Sequence, residues 1–211
     1  RNYLTKLMDP LGRRVRLGET VTAARRGDGK VTLKLGSGQI ESFEHAIFAA
    51  HSDQTLALLA DADAQERTVL SAVRFRPNRV VLHRDPALMP KRRAAWSAWN
   101  YLRSSRPGGE PEITMTYWMN RLQGIDETKP LFVSLNPERE PKAGTVFGEW
   151  TYDHPQFDAG ALEAQKRLPF IQGRRSCHFA GAWTGFGFHE DGLRSGLEAA
   201  AALGAALPWN A

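Results

Sequence analysis

The chain has 211 residues, 42% of them hydrophobic and 24% charged, with a formal net charge of +5. That is enough chain for one sizeable core, or a core with a smaller lobe, and the charged fraction is ordinary for a globular protein. No run approaches the roughly 18 apolar residues of a membrane-spanning helix, the start Arg1-Asn2-Tyr3-Leu4 has no apolar stretch of a signal peptide, and a cytoplasmic location is the expectation.

The basic runs at Arg13-Arg14-Val15-Arg16, Arg25-Arg26, Lys91-Arg92-Arg93 and Arg174-Arg175 are short and separated. A nucleic-acid surface needs a basic stripe within a recognisable module, so no nucleic-acid partner is expected. A solvated face, or attraction to anionic cofactor phosphates or to lipid, suits them better. Cys177, the one cysteine, lies in the apolar run Cys177-His178-Phe179-Ala180 and reads as a small core residue.

In chain order, Thr20 to Arg26, Lys30 to Leu35 and Gln39 to Phe43 read as strands, divided by the turn signals Gly27-Asp28-Gly29 and Gly36-Ser37-Gly38. Ala46-Ile47-Phe48-Ala49-Ala50 is continuously apolar, as in a strand buried on both faces. Residues 53 to 72 read as helical, capped by Ser52 or Asp53, with Asp53, Asp61, Asp63 and Glu66 on a solvated face. Pro77 then breaks the pattern, and Arg79 to His83 is a strand. His51 and His83 read as hydrogen-bonded structural residues.

Residues 84 to 157 hold Trp96, Trp99, Tyr101, Tyr117, Trp118, Trp150 and Tyr152, most of the Trp and Tyr residues. Glu112 to Met119, Leu131 to Leu135 and Thr145 to Tyr152 read as strands of a second sheet, and Arg103 to Pro111 as a Gly/Pro/Ser loop. Trp96, Trp99, Tyr101, Tyr117 and Trp118 are candidates for lining a substrate pocket, set against the plainer reading that they are core. A short helix is expected over 158 to 168, a strand over Arg175 to Gly181, and an Ala- and Leu-rich helix over Asp191 to Leu207.

The chemistry-bearing stretch is Gly181-Ala182-Trp183-Thr184-Gly185-Phe186-Gly187-Phe188-His189-Glu190-Asp191-Gly192-Leu193-Arg194-Ser195-Gly196. It reads as strand, glycine-rich crossover, helix. Glycines allow close backbone approach, and a helix start offers amide hydrogens to a phosphate or an electron-rich carbonyl. His189 beside Glu190 has no second ligand pair at metal spacing, so no metal is expected.

This stretch resembles the C-terminal FAD-binding motif of the flavin-containing amine oxidase, phytoene desaturase and protoporphyrinogen oxidase superfamily, and it is most similar to a bacterial subgroup of predicted NAD/FAD-binding amine-oxidase-like proteins. The likeness extends upstream through Val15 to Ala50, His51 to Gln54, His83-Arg84-Asp85, Trp96 to Tyr101 and Tyr117 to Asn120. It implies FAD as cofactor, a hydride passing from an apolar, amphipathic or lipid-like substrate to flavin N5, and a flavin end held by Gly181, Ala182, Trp183, Glu190, Asp191, Gly192 and Leu193. It also implies an adenine end met by the backbone of Val21, with His189 near the flavin as a weak acid/base candidate.

The implied fold is mixed α/β. Residues 1–72 and 165–211 would form part of an FAD-binding domain, and residues 73–164 a substrate lobe. The chain departs from the family in having no Gly-x-Gly-x-x-Gly pyrophosphate cradle, which implies a fragment or one subunit of a split flavoprotein. Pro77-Asn78-Arg79 lacks the lysine of amine oxidases. Two other readings stay open: a non-catalytic lipid-binding or interaction module, and peripheral contact with a membrane.

Overall fold

The computed structural model describes residues 2–103 and 113–206. They form two compact units, Arg1–Arg74 with Pro155–Ala211, and Phe75–His154. The loop expected at Arg103 to Pro111 lies, from residue 104 onward, outside the described residues.

The first unit opens on a helix that the sequence reading did not anticipate, α1 (Asn2–Met8), continued by a 3-10 turn over Asp9–Arg14. Its apolar residues Leu4, Leu7, Met8 and Leu11 follow helical spacing and are all exposed. Then come β1 (Val21–Gly27), β2 (Lys30–Leu35) and β3 (Ile40–Phe43), an antiparallel meander as expected. The first hairpin closes through Asp28 and Gly29, both at positive φ (51° and 71°), the geometry of a two-residue turn matched to strand twist. β4 (Ala46–Phe48) pairs in parallel with β10 (Cys177–Phe179), Cys177 opposite Ala46 and Phe179 opposite Phe48. Cys177 is fully buried there.

The helix expected over 53 to 72 is two helices, α2 (Ser52–Leu58) and α3 (Ala64–Ala72). Leu59 leaves helical geometry to bridge Ala24 of β1, and Asp63 caps a new start. Asp63 Oδ1 accepts from Glu66 N at 2.8 Å and Glu66 Oε2 accepts from Asp63 N at 2.9 Å, a reciprocal capping box.

The acidic residues placed on a solvated face are corrected by this geometry. Asp53 is exposed, but Asp61, Asp63 and Glu66 belong to an ion network. Arg26 of β1, its side chain 1% exposed, clamps the fully buried Glu66 with two guanidinium nitrogens and reaches Asp61 through Nε at 3.0 Å. Arg175 also pairs with Asp61, and Arg174 with Asp63 at 2.9 Å. Burial opposes the Arg26 charge, but Glu66 and Asp61 more than offset it and hold the guanidinium above its ordinary value. The unit is completed by α5 (Ala159–Arg167), capped by Asp158 accepting from Ala161 N at 2.9 Å, and α6 (His189–Ala202).

The second unit is built on a five-stranded sheet of β5 (Arg74–His83), β6 (Trp99–Arg103), β7 (Ile113–Trp118), β8 (Phe132–Leu135) and β9 (Val146–Gln156), in the order β6-β7-β8-β5-β9. A short helix, α4 (Met119–Gln123), follows β7. Two expectations change. β5 runs through Pro77 instead of starting after it; its ladder with β8 begins only at Val80, so the missing N–H costs no bond to that strand. β6, not expected as a strand, forms because Trp99, Tyr101 and Arg103 find partners across the ladder in Tyr117, Met115 and Ile113.

One face of this sheet carries a buried polar relay. Asp85 N donates to His83 Nδ1 at 3.2 Å, so Nε2 carries the hydrogen and donates to Ser134 Oγ at 2.8 Å, and Ser134 lies 2.7 Å from Thr116 Oγ1. His83 is fully buried, and burial, only partly countered by the Asp85 charge, lowers its pKa. A lowered histidine pKa means that the unfolded chain binds more protons below its ordinary value of about 6.5, so stability falls as pH drops through that value. We expect the urea midpoint to decline between neutral pH and pH of about 5, and His83→Gln to flatten that component; an unchanged slope in the variant would place the pH dependence elsewhere.

Candidate functional site

A parallel strand pair gathers its connecting loops at its carboxyl ends, where open α/β sheets bind ligands. Here β4 and β10 end together, with Ala180 N donating to Phe48 O at 2.9 Å. The glycine turn starts at this point. Gly181 has φ 144°, and a Cβ on it would stand 2.9 Å from the Trp183 indole. That indole is buried and donates through Nε1 to Ala50 O at 3.1 Å, tying the turn to the end of the β4 segment. Gly187 also sits at positive φ, 87°.

Three side chains hold the turn in shape. Gly181 N donates to Ser195 Oγ at 2.9 Å. Gln165 of α5 donates to Trp183 O at 3.0 Å and Gly185 O at 2.6 Å. Thr184 Oγ1 donates to Gly181 O at 2.8 Å. None of the three is among the site residues inferred from the sequence. Thr184 and Ser195 stand in the glycine-rich stretch with no role of their own, and Gln165 carries no local signal.

The long helix begins at His189, two residues before the expected start. Phe188, His189 and Glu190 are exposed, and among the described residues the amide hydrogens of His189 and Glu190 have no protein acceptor. Asp191 is buried and folds back: Oδ2 accepts from Phe186 N at 2.9 Å and Phe188 N at 3.1 Å, while Oδ1 accepts from Arg194 at 2.9 Å. With Glu190 in the same first turn, the positive helix end is compensated by carboxylates. Gly192 packs onto the turn, a Cβ on it lying 3.6 Å from Ala182 N, and Leu193 is 51% exposed. The structure therefore brings Gly181, Ala182, Trp183 and residues 189–193 together. Val21 opens β1, next to an irregularity in register between Val21 and Ala23.

The five aromatic candidates fall on two faces of the second unit's sheet. Trp96 and Trp118 pack edge-to-face at 5.4 Å and join Met89 and Phe132 in a buried cluster, with the Arg93 guanidinium 3.9 Å and 4.4 Å from the two indole centroids. Trp99 and Tyr117 meet at 5.5 Å on the other face, alongside the exposed Tyr101. Among the described residues no group of three or more His, Cys, Asp or Glu could hold a metal ion, and no helix is long and apolar enough to cross a membrane.

Comparison with known proteins defines the fold class. No family model matches the sequence, and no curated protein matches it. Among solved structures, a CLA-producing fatty acid isomerase from P. acnes is similar over 85% of this chain and 46% of its own, at 17% identity and a TM-score of 0.55. Cyclohexylamine oxidase from Brevibacterium oxydans IH-35A is similar over 94% of this chain and 51% of its own, at 15% identity and 0.59. A putrescine oxidase redesigned in its cofactor binding is similar over the same shares, at 12% identity and 0.61. The chain thus has the mixed α/β fold of these proteins and spans about half their length.

Proposed function

We propose that the chain is the C-terminal part of an FAD-dependent oxidoreductase of the amine-oxidase and desaturase kind, cytoplasmic, acting on an apolar or amphipathic organic substrate. The observation that carries this reading is the turn at the ends of two parallel strands. It runs through Gly181 and Gly187 at positive φ, and it leads into an exposed helix start whose first amides have no protein acceptor among the described residues, which suits the edge of a flat ring. FAD, when bound, supplies the hydride-accepting ring.

The chain's own residues supply position. Gly181, Ala182 and Trp183, with Glu190 to Leu193, meet the ring end, and the backbone of Val21 meets the adenine end. Because Asp191 and Glu190 compensate the helix end, it favours a neutral ring carbonyl over a phosphate. The pyrophosphate then falls to a dinucleotide-binding segment with Gly-x-Gly-x-x-Gly, supplied from outside these 211 residues. Trp99, Tyr101 and Tyr117 offer an apolar, aromatic face to the substrate, and His189 stands exposed as an acid/base candidate.

A second reading, a non-catalytic module for lipid or a partner protein, is favoured by the exposed stripe Leu4, Leu7, Met8 and Leu11 followed by Arg13 and Arg14. The deciding experiment expresses the chain together with the polypeptide encoded immediately upstream. The expected product is yellow, carries stoichiometric FAD and bleaches on reduction. A folded, colourless product that takes up no added FAD would sink the flavin reading, and its capture by anionic vesicles would favour the module.

A further inference from the structure

Behind the glycine turn, within the first unit, lies a cavity of about 580 Å3, a size typical of small-molecule sites. Its side walls are apolar: Leu168 and Pro169 from the turn after α5, and Ala199 and Ala202 from α6. It is also lined by Gln165, Thr184 and Ser195, the same side chains that hold the turn.

The polar group from the sheet is His178 of β10. It is 5% exposed, and among the described residues its imidazole has no hydrogen-bond partner; its one ring neighbour is His45, with centroids 6.2 Å apart. The ring lies beside Gly173, whose missing Cβ would stand 3.4 Å from Cε1 and 3.8 Å from Nε2, and it faces the cavity with its nitrogens open to whatever fills that space.

The charges around the cavity decide the ligand class. Arg194 and Glu198 line it, but Arg194 is already paired with Asp191 at 2.9 Å and lies 4.0 Å from Glu198. Burial, with the neighbouring His45, holds the His178 pKa below its ordinary value, so the ring is neutral near neutral pH and presents one donor and one acceptor. An anion would find Arg194 already taken by Asp191, and the Glu198 carboxylate, 70% exposed, is screened by water, so a charged ligand gains little for the hydration it loses.

We propose that this cavity binds a small uncharged amphipathic molecule, an alcohol or a carboxamide with an apolar body, whose polar group bonds to His178. The occupant would sit against the residues that shape the glycine turn, at a place distinct from the exposed face of that turn.

The test uses the chain without flavin, so it stands apart from the cofactor reading. Benzyl alcohol and benzamide serve as neutral probes, with benzoate and benzylammonium as charged controls on a similar body. The His178 ring signals are followed by NMR. The expected result is a saturable shift with the neutral probes and binding weaker by about tenfold or more for the charged ones. Ala202→Phe, at an exposed helical position, should fill the cavity and weaken the neutral probes by about tenfold without unfolding the chain. His178→Gln, which keeps a polar group, should weaken them less. Absence of a saturable shift, equal binding of the charged probes, or an unaffected Ala202→Phe variant would each overturn the proposal.

Discussion

Replacing Arg26 with methionine is expected to destabilise the chain by about 3–5 kcal/mol, the usual cost of leaving one member of a buried ion pair alone. The guanidinium is enclosed, with two bonds to Glu66, one to the Asp61 side chain at 3.0 Å and one to Asp61 O at 3.2 Å. Without it, Glu66 keeps only the Asp63 amide as a partner, in a position with no exposure. Removing the pair together, as Arg26→Met with Glu66→Leu, should recover most of the loss, short of about 1 kcal/mol for the broken capping box. Urea denaturation of the two single variants and the double gives the coupling directly. A single variant within about 1 kcal/mol of the parent would mean that water reaches the site.

The same network has an acid limb. Burial works against the Asp61 charge, but the Arg26 amide and guanidinium, with Arg175, hold its pKa below the ordinary value. A depressed carboxylate stabilises the fold above its unfolded pKa of about 3.9 and loses that contribution as pH falls through the folded value. The loss from Asp61 therefore begins near pH 4, below the range in which His83 acts, so Asp61→Asn and His83→Gln should flatten different parts of one pH profile.

Much of this architecture can be read from local sequence where local chemistry decides it. The turns at Gly27-Asp28-Gly29 and Gly36-Ser37-Gly38 require positive φ, and Asp28, Gly29 and Gly38 supply it. The apolar run Ala46 to Ala50 gives its strand, over Ala46–Phe48 only and buried on one face, since Ile47 is exposed where burial on both faces was expected; Asp158 gives the start of α5. What was not legible depends on contacts distant in sequence. Arg26 and Glu66 are 40 positions apart, so a carboxylate that looks solvated along its own helix turns out to be the counter-ion of another strand. Trp96 and Trp118 could not be separated from Trp99 and Tyr117 until β6 paired with β7, because strand register alone assigns each aromatic to a face. Two missed features did have signals: the Leu4, Leu7, Met8, Leu11 spacing announced α1, and Asp63-x-x-Glu66 is a capping-box pattern.

Gly185→Ala is expected to deform the glycine turn and cost about 1–3 kcal/mol, the range for forcing an extra methyl into filled space. A Cβ at that position would stand 2.2 Å from Asp191 Oδ1 and 2.4 Å from its Cγ. Asp191 has little room to withdraw, since Oδ2 holds the Phe186 and Phe188 amides and Oδ1 holds Arg194. The glycine and the aspartate are thus one device: the carboxylate braces the loop only because residue 185 leaves it space. Asp191→Ala alone should free both amides, visible as faster hydrogen exchange at Phe186 and Phe188. In the double variant the two closest contacts go with the carboxylate and only the Cβ of residue 191, at 2.8 Å, still presses on the new methyl, so the two costs should fall short of additive, by a coupling of about 0.5–3 kcal/mol. Strict additivity would show that something other than Asp191 excludes a side chain at 185. If the proposed FAD reading holds, Gly185→Ala should weaken cofactor retention more than Asp191→Asn, because the amide keeps an acceptor for the loop while the methyl displaces the backbone that would meet the ring.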